Sequence, residues 1–134
     1  MRVTRVKPAV ADRRGTITDV LDGTRVECVT LVTSKKGAVR GNHYHKKTTQ
    51  YTYVLRGRFR LLTQRGEGRV QSRVVRAGDL VVTPPLERHA FVALENSLLI
   101  ACAHGPRAGR SYESDTYRLP VPLAARPAER SPRT

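Results

Sequence analysis

The sequence predicts an all-β fold, a small barrel or sandwich, on three observations. Short runs of Val, Leu, Ile, Thr and Tyr recur along the chain, each closed by Gly, Pro, Asp or Asn, which is the pattern of many short strands. No apolar repeat of helical period extends beyond about two turns. The core residues are chiefly Val and Leu, with no Trp and two Phe, and this mix packs well on a pleated surface. A chain of 134 residues fits one domain with a core of its own.

Taken in order, residues 1–14 form a basic lead-in, an edge strand or an arm reaching to a partner subunit, closed by the polar turn Asp12-Arg13-Arg14-Gly15. The runs 16–21 and 24–34 predict strands around a turn at Asp22-Gly23, with Lys35-Lys36-Gly37 closing that hairpin. A strand carrying His43 and His45 follows, continued by a run in which Gln50, Thr52 and Val54 share one face and Tyr51, Tyr53 and Leu55 the other. Residues 58–64 and 69–76 predict a hairpin across a Gly-rich turn, and 79–83 a short strand stopped by Pro84-Pro85, because proline donates nothing to a ladder. Two more strands flank a polar corner at Glu95-Asn96-Ser97, giving nine or ten strands in all within residues 15–119. Residues 120–134 are rich in Pro, Ala and Arg and predict a flexible tail.

Lys and Arg total 25 against 11 Asp and Glu, a net charge of +14 that favours an anionic partner such as a phosphorylated metabolite. Nucleic acid is disfavoured. The arginines are scattered, no nucleic-acid-binding motif is present, and the aromatic stripe that stacks single-stranded bases is missing. Cys28 and Cys102 are too few and too far apart for a zinc ribbon or a redox pair, so both are expected as buried thiols. The absence of a signal peptide, a membrane-spanning run or a lipidation motif predicts a cytoplasmic protein.

His43 and His45 stand two apart on a predicted strand, so both imidazoles face one way. Gln50 follows at an odd spacing and shares that face only if the chain bends between them. His89, after the Pro-Pro turn, joins them if the chain doubles back. Three imidazoles suit Zn, Ni, Fe or Cu, and Mn where an oxygen donor such as the Gln50 amide completes the set. Two other readings stay open: a metal-free site in which the histidines act as acid and base, and histidines that only fill the interior. His104 lies in a Gly-Pro loop and is expected in solvent, not as a ligand.

The spacing Gly37, five residues, His43-x-His45, four residues, Gln50, six residues, Gly57 resembles the first motif of the cupin superfamily, with Gln50 in place of Glu. Gly78, Pro84 and His89 fall in register with the second motif, where Leu86 replaces its Gly and Ala93 its Asn. The resemblance implies a cupin-type β-barrel, a jelly-roll-like double-stranded β-helix. The string from Arg40 to Gln50, RGNHYHKKTTQ, is similar to the RGxHAHKKxxQ pattern of dTDP-4-keto-6-deoxyglucose 3,4-ketoisomerases, with Tyr44 where those enzymes usually have Ala. It is also similar to the zinc-binding cupin domain of capsular-polysaccharide reductases. The final segment 112–118, YESDTYR, belongs to the same likeness.

The ketoisomerase resemblance implies His43 or His45 as the base that moves a proton beside a keto group, Arg40 on a diphosphate, and Tyr51, Tyr53 or His89 relaying the second proton. The metal set that the cupin motifs imply is His43, His45, Gln50 and His89. Small-molecule isomerisation in sugar-nucleotide or secondary metabolism is the preferred activity. A metal-dependent cupin of another class, such as an oxygenase, and a non-catalytic binding module beside another enzyme are the alternatives. Exposed edge strands predict a homodimer.

Overall fold

Alternating residues along β-rich runs bury one face each, and the chain satisfies this by stacking two sheets. The computed structural model describes residues 2–106 and 114–125. Tyr112, Glu113 and the tail from residue 126 onward lie outside the described residues.

Twelve strands are formed among the described residues: β1 (Arg2–Arg5), β2 (Val10–Asp12), β3 (Gly15–Ile17), β4 (Cys28–Ser34), β5 (Val39–Tyr44), β6 (Thr49–Arg56), β7 (Arg58–Arg65), β8 (Gln71–Arg76), β9 (Asp79–Thr83), β10 (Glu87–Ala93), β11 (Ser97–His104) and β12 (Tyr117–Arg118). They make two five-stranded antiparallel sheets, β1-β9-β6-β11-β4 and β12-β5-β10-β7-β8, beside the separate hairpin β2–β3. From β4 to β11 the chain passes repeatedly from one sheet to the other, which is the order of a jelly roll. The all-β expectation holds. No helix of the described residues is long and apolar enough to cross a membrane.

One half of the space between the sheets is apolar. Val54, Phe59, Leu61, Val75, Val81, Phe91, Ala93 and Leu99 pack there, with the Phe59 and Phe91 rings edge to face at 5.9 Å.

The hairpin expected around Asp22-Gly23 does not form. Residues 18–27 carry no strand, because β4 finds its ladder on β11 instead, pairing from Cys28↔Ala103 to Ser34↔Ser97. The β2–β3 hairpin uses the polar turn at Arg13-Arg14, where the Asp12 carboxylate accepts from the Arg14 amide at 2.9 Å. Past the predicted end of the barrel, Ala124 is buried and exchanges two hydrogen bonds of 3.1 Å with the Asn42 side chain, so the segment up to it is docked on β5.

Leu86 lies at φ +72°, the left-handed region, at the motif position where the resemblance places Gly. Its amide donates to the His45 carbonyl at 2.6 Å, so the turn geometry is kept although a side chain makes it strained. With that side chain 61% exposed, Leu86→Gly sacrifices little packing. The variant is expected to gain roughly 0.5–1 kcal/mol, the left-handed penalty less the added chain entropy of glycine, read as a higher midpoint in urea.

Candidate functional site

The other half of the interior is polar, and the local chemistry of the Arg40–Gln50 string explains how it is built. Gly41 and Asn42, at φ +90° and +57°, form a bulge in β5, and the register with β10 shifts there, from Ala90↔Gly41 to His89↔His43. A Cβ on Gly41 would stand 2.8 Å from the His89 carbonyl oxygen, so only glycine lets β5 lie this close to β10. Past the bulge, His43 faces inward beside His89.

The three imidazoles then converge. Ring centroids are 4.9 Å apart for His43 and His45, 4.6 Å for His43 and His89, and 5.4 Å for His45 and His89. One nitrogen of each ring lies within 4.8 Å of the others. His45 and His89 are each 1% exposed, and His43 is half-buried.

The tautomers follow from the partners. His45 Nδ1 sits 2.8 Å from the Asp115 carbonyl oxygen and His89 Nδ1 3.2 Å from that of Glu87. A carbonyl only accepts, so both rings donate from Nδ1 and carry their basic lone pair on Nε2. This is the arrangement in which a second partner orients a metal-binding imidazole. The donor set fits a divalent transition ion: neutral imidazoles, close together and held by backbone carbonyls.

Asp115 also fixes the turn that carries the chain from β5 to β6. Its carboxylate accepts from the amides of Lys46, Lys47 and Thr48 and from the Thr48 hydroxyl, at 2.8–3.2 Å. Burial pushes this carboxyl up, but the bonds from Lys47, Thr48 and Lys46 outweigh burial and hold it below its usual value. Beside it, Tyr117 of β12 stacks on Tyr44 at 5.3 Å, and Lys46 Nζ sits 4.3 Å over the Tyr117 ring. Asp115 was missed as a site residue in the sequence, although its neighbourhood was part of the resemblance.

The bend after His45 is therefore a crossing between sheets, and it puts Gln50 on the inner face of β6. Gln50 Nε2 donates to Thr52 Oγ1 at 3.0 Å, and Thr52 is fully buried. Tyr51 and Tyr53 occupy the other face of β6, paired with Val82 and Leu80 of β9, so the structure does not bring them to the histidines. Arg40 is not beside them either: its guanidinium donates to the Thr33 carbonyl at 2.7 Å and to Ser34 Oγ at 3.2 Å. It lines a cavity of about 720 Å³ with Lys35, Arg56 and Asn96, and no acidic residue among the described residues lines it. His104 is the last residue of β11, partly exposed, with Nδ1 2.8 Å from a Glu27 carboxylate oxygen. Glu87, two residues before His89, is a buried carboxylate 3.6 Å from Arg65, in a cavity of about 400 Å³.

A comparison with curated proteins finds no match. Solved structures do match in fold. A sugar 3,4-ketoisomerase from Thermoanaerobacterium thermosaccharolyticum, in complex with TDP, has a TM-score of 0.72 at 20% identity over 88% of this chain and 87% of that one. A 3,4-ketoisomerase from Helicobacter canadensis has a TM-score of 0.74 at 14% identity over 87% and 89%. A dTDP-4-dehydrorhamnose 3,5-epimerase from Sulfolobus tokodaii has 0.62 at 25% identity over 83% and 70%. The family model described as Cupin matches residues 18–114, a span holding the three histidines and strands β4 to β11, and the chain belongs to the cupin family.

Proposed function

We propose that the chain is a cupin enzyme that isomerises a keto sugar attached to a nucleoside diphosphate. The observation that carries this reading is the buried convergence of His43, His45 and His89 within the RGNHYHKKTTQ string. Solved structures of similar fold that act on sugars of this kind support it.

The reaction needs a base at the carbon beside the ketone. His43, the least buried of the three, takes the C3 proton while the 4-keto oxygen gains a proton, giving an enediol. The 3-hydroxyl then loses its proton and C4 gains one, returned by His43 after exchange with solvent. The sum is an isomer with no net redox change. Arg40, with Lys35 and Arg56, holds the diphosphate in the acid-free cavity.

In the alternative reading, in which the rings act as ligands and not as acid and base, His43, His45 and His89 would hold a divalent transition ion (Zn, Ni, Mn, Fe or Cu), with the Gln50 amide as an added oxygen donor. Bound there, such an ion supplies a Lewis acid that polarises a carbonyl.

The test is turnover of TDP-4-keto-6-deoxyglucose in deuterated buffer, followed by NMR, with metal per chain measured on the same sample. Deuterium entering at C4 with formation of the 3-keto sugar supports the reading. Absence of turnover, whether metal is loaded or stripped, would leave a binding module and overturn it.

A second copy of the chain is the proposed partner. The outer face of the sheet β1-β9-β6-β11-β4 exposes Val29 by 65%, Leu31 by 67% and Leu55 by 47%, next to the half-buried Tyr51, Tyr53 and Ile100. On a chain of net charge +14, this apolar stretch, with Arg2 of β1 at its edge, is where two copies approach with least repulsion. Light scattering should give a dimer and Leu31→Arg a monomer; a monomeric parent chain would refute this.

A further inference from the structure

In the sheet opposite β5 and β10, which carry His43 and His89, the inner face of β6 and β9 is polar at one end. Gln50 and Thr52 lie on it, and Gln50 pairs directly with Thr83, the last residue of β9. Thr83 follows Val81 on the inward face of β9, and Val81 belongs to the apolar core, so the wall turns from apolar to hydroxylated within two residues.

Thr83 is 1% exposed, and its Oγ1 makes no hydrogen bond among the described residues. A buried hydroxyl without a partner costs stability, and a valine of the same shape would avoid that cost. Nothing in the ladder needs the hydroxyl: β9 pairs with β6 through backbone groups, and Pro84 ends the strand.

We propose that the Thr83 hydroxyl is a binding contact for an oxygen of the ligand, a sugar hydroxyl or the keto oxygen, held across from the histidines. The proposal rests on the sugar-nucleotide reading above. A hydroxyl both donates and accepts, so it serves a ketone that becomes an enediol hydroxyl during the reaction. It also gives the wall facing the imidazoles a neutral polar group, which hydrogen-bonds the ligand without competing for the proton in transit.

The test compares Thr83→Val and Thr83→Ser with the parent chain in thermal stability, calorimetric binding of the sugar nucleotide and steady-state turnover. Thr83→Val should melt at the same temperature or higher, yet bind roughly three- to tenfold more weakly, with KM rising more than kcat falls. Thr83→Ser, which keeps the hydroxyl, should restore affinity. Unchanged affinity in Thr83→Val overturns the proposal, and so does a lowered melting temperature that Thr83→Ser repairs, since that marks a structural hydroxyl. A parent chain that binds the nucleotide sugar without converting it sinks the isomerase reading alone, and the affinity ratio still judges Thr83. A parent chain that does not bind it overturns both.

Discussion

Replacing His43 with Asn is expected to lower turnover by about 10²–10⁴-fold, the usual worth of a positioned acid or base, while the barrel stays folded. His43 touches both other rings, at 4.9 and 4.6 Å, yet is the one histidine of the three that keeps partial exposure. Of the three rings it is the one most open to a ligand entering from solvent. Asn preserves a polar group of similar reach and removes the titrating nitrogen. Metal content should fall in the same variant if the three imidazoles share an ion, because two ligands bind more weakly than three. Circular dichroism and melting should stay near those of the parent. A His43→Asn protein with full turnover would remove His43 from the chemistry, and one with full metal content would remove it from the ligand set.

Gly41→Ala should destabilise the fold by roughly 3 kcal/mol or more and disable the site together. The residue sits at φ +90°, where a side chain adds strain of about 1–3 kcal/mol. Its new Cβ would lie 2.8 Å from the His89 carbonyl oxygen and 3.3 Å from Ala90 Cα. Both are backbone atoms of the neighbouring strand, so relief requires β5 and β10 to separate. That separation moves His43 away from His89, with which it is paired. Gly57→Ala offers the contrast. There the Cβ would collide with Ser97 Oγ, at the start of β11 and away from the histidines, so stability falls while any metal-binding stoichiometry of the folded fraction is kept. Urea unfolding and metal analysis distinguish the two; equal stability of Gly41→Ala and the parent would show that the bulge tolerates a side chain.

The meaning of the Arg40–Gln50 string changes once the fold is known. Arg40 ties β5 to β4, Gly41 and Asn42 make the bulge, Tyr44 stacks on β12, and Lys46, Lys47 and Thr48 give their amides to Asp115. Only His43, His45 and the inward Gln50 face the interior. Much of the motif therefore holds the histidines in place.

The strands from residue 28 to 104, the shared face of His43 and His45, and the opposition of Gln50 to Tyr51 and Tyr53 were legible in the sequence because alternation is local: each peptide turns its side chain over relative to the last. The convergence of His89 was legible only as a condition, that the chain double back. Pairing over long separations decided the rest. Asp115 reaches His45 across 70 residues of sequence, Ala124 reaches Asn42 across 82, and β4 leaves its expected neighbour for β11. These contacts leave no local period, since they are set by which sheet surfaces bury apolar area best when the two sheets close. The sequence by itself determined an all-β chain with histidines on one face of a strand. The tertiary structure decided that they meet His89, which carbonyls hold the His45 and His89 rings, and that Gln50 and Thr83 pair in the opposite sheet.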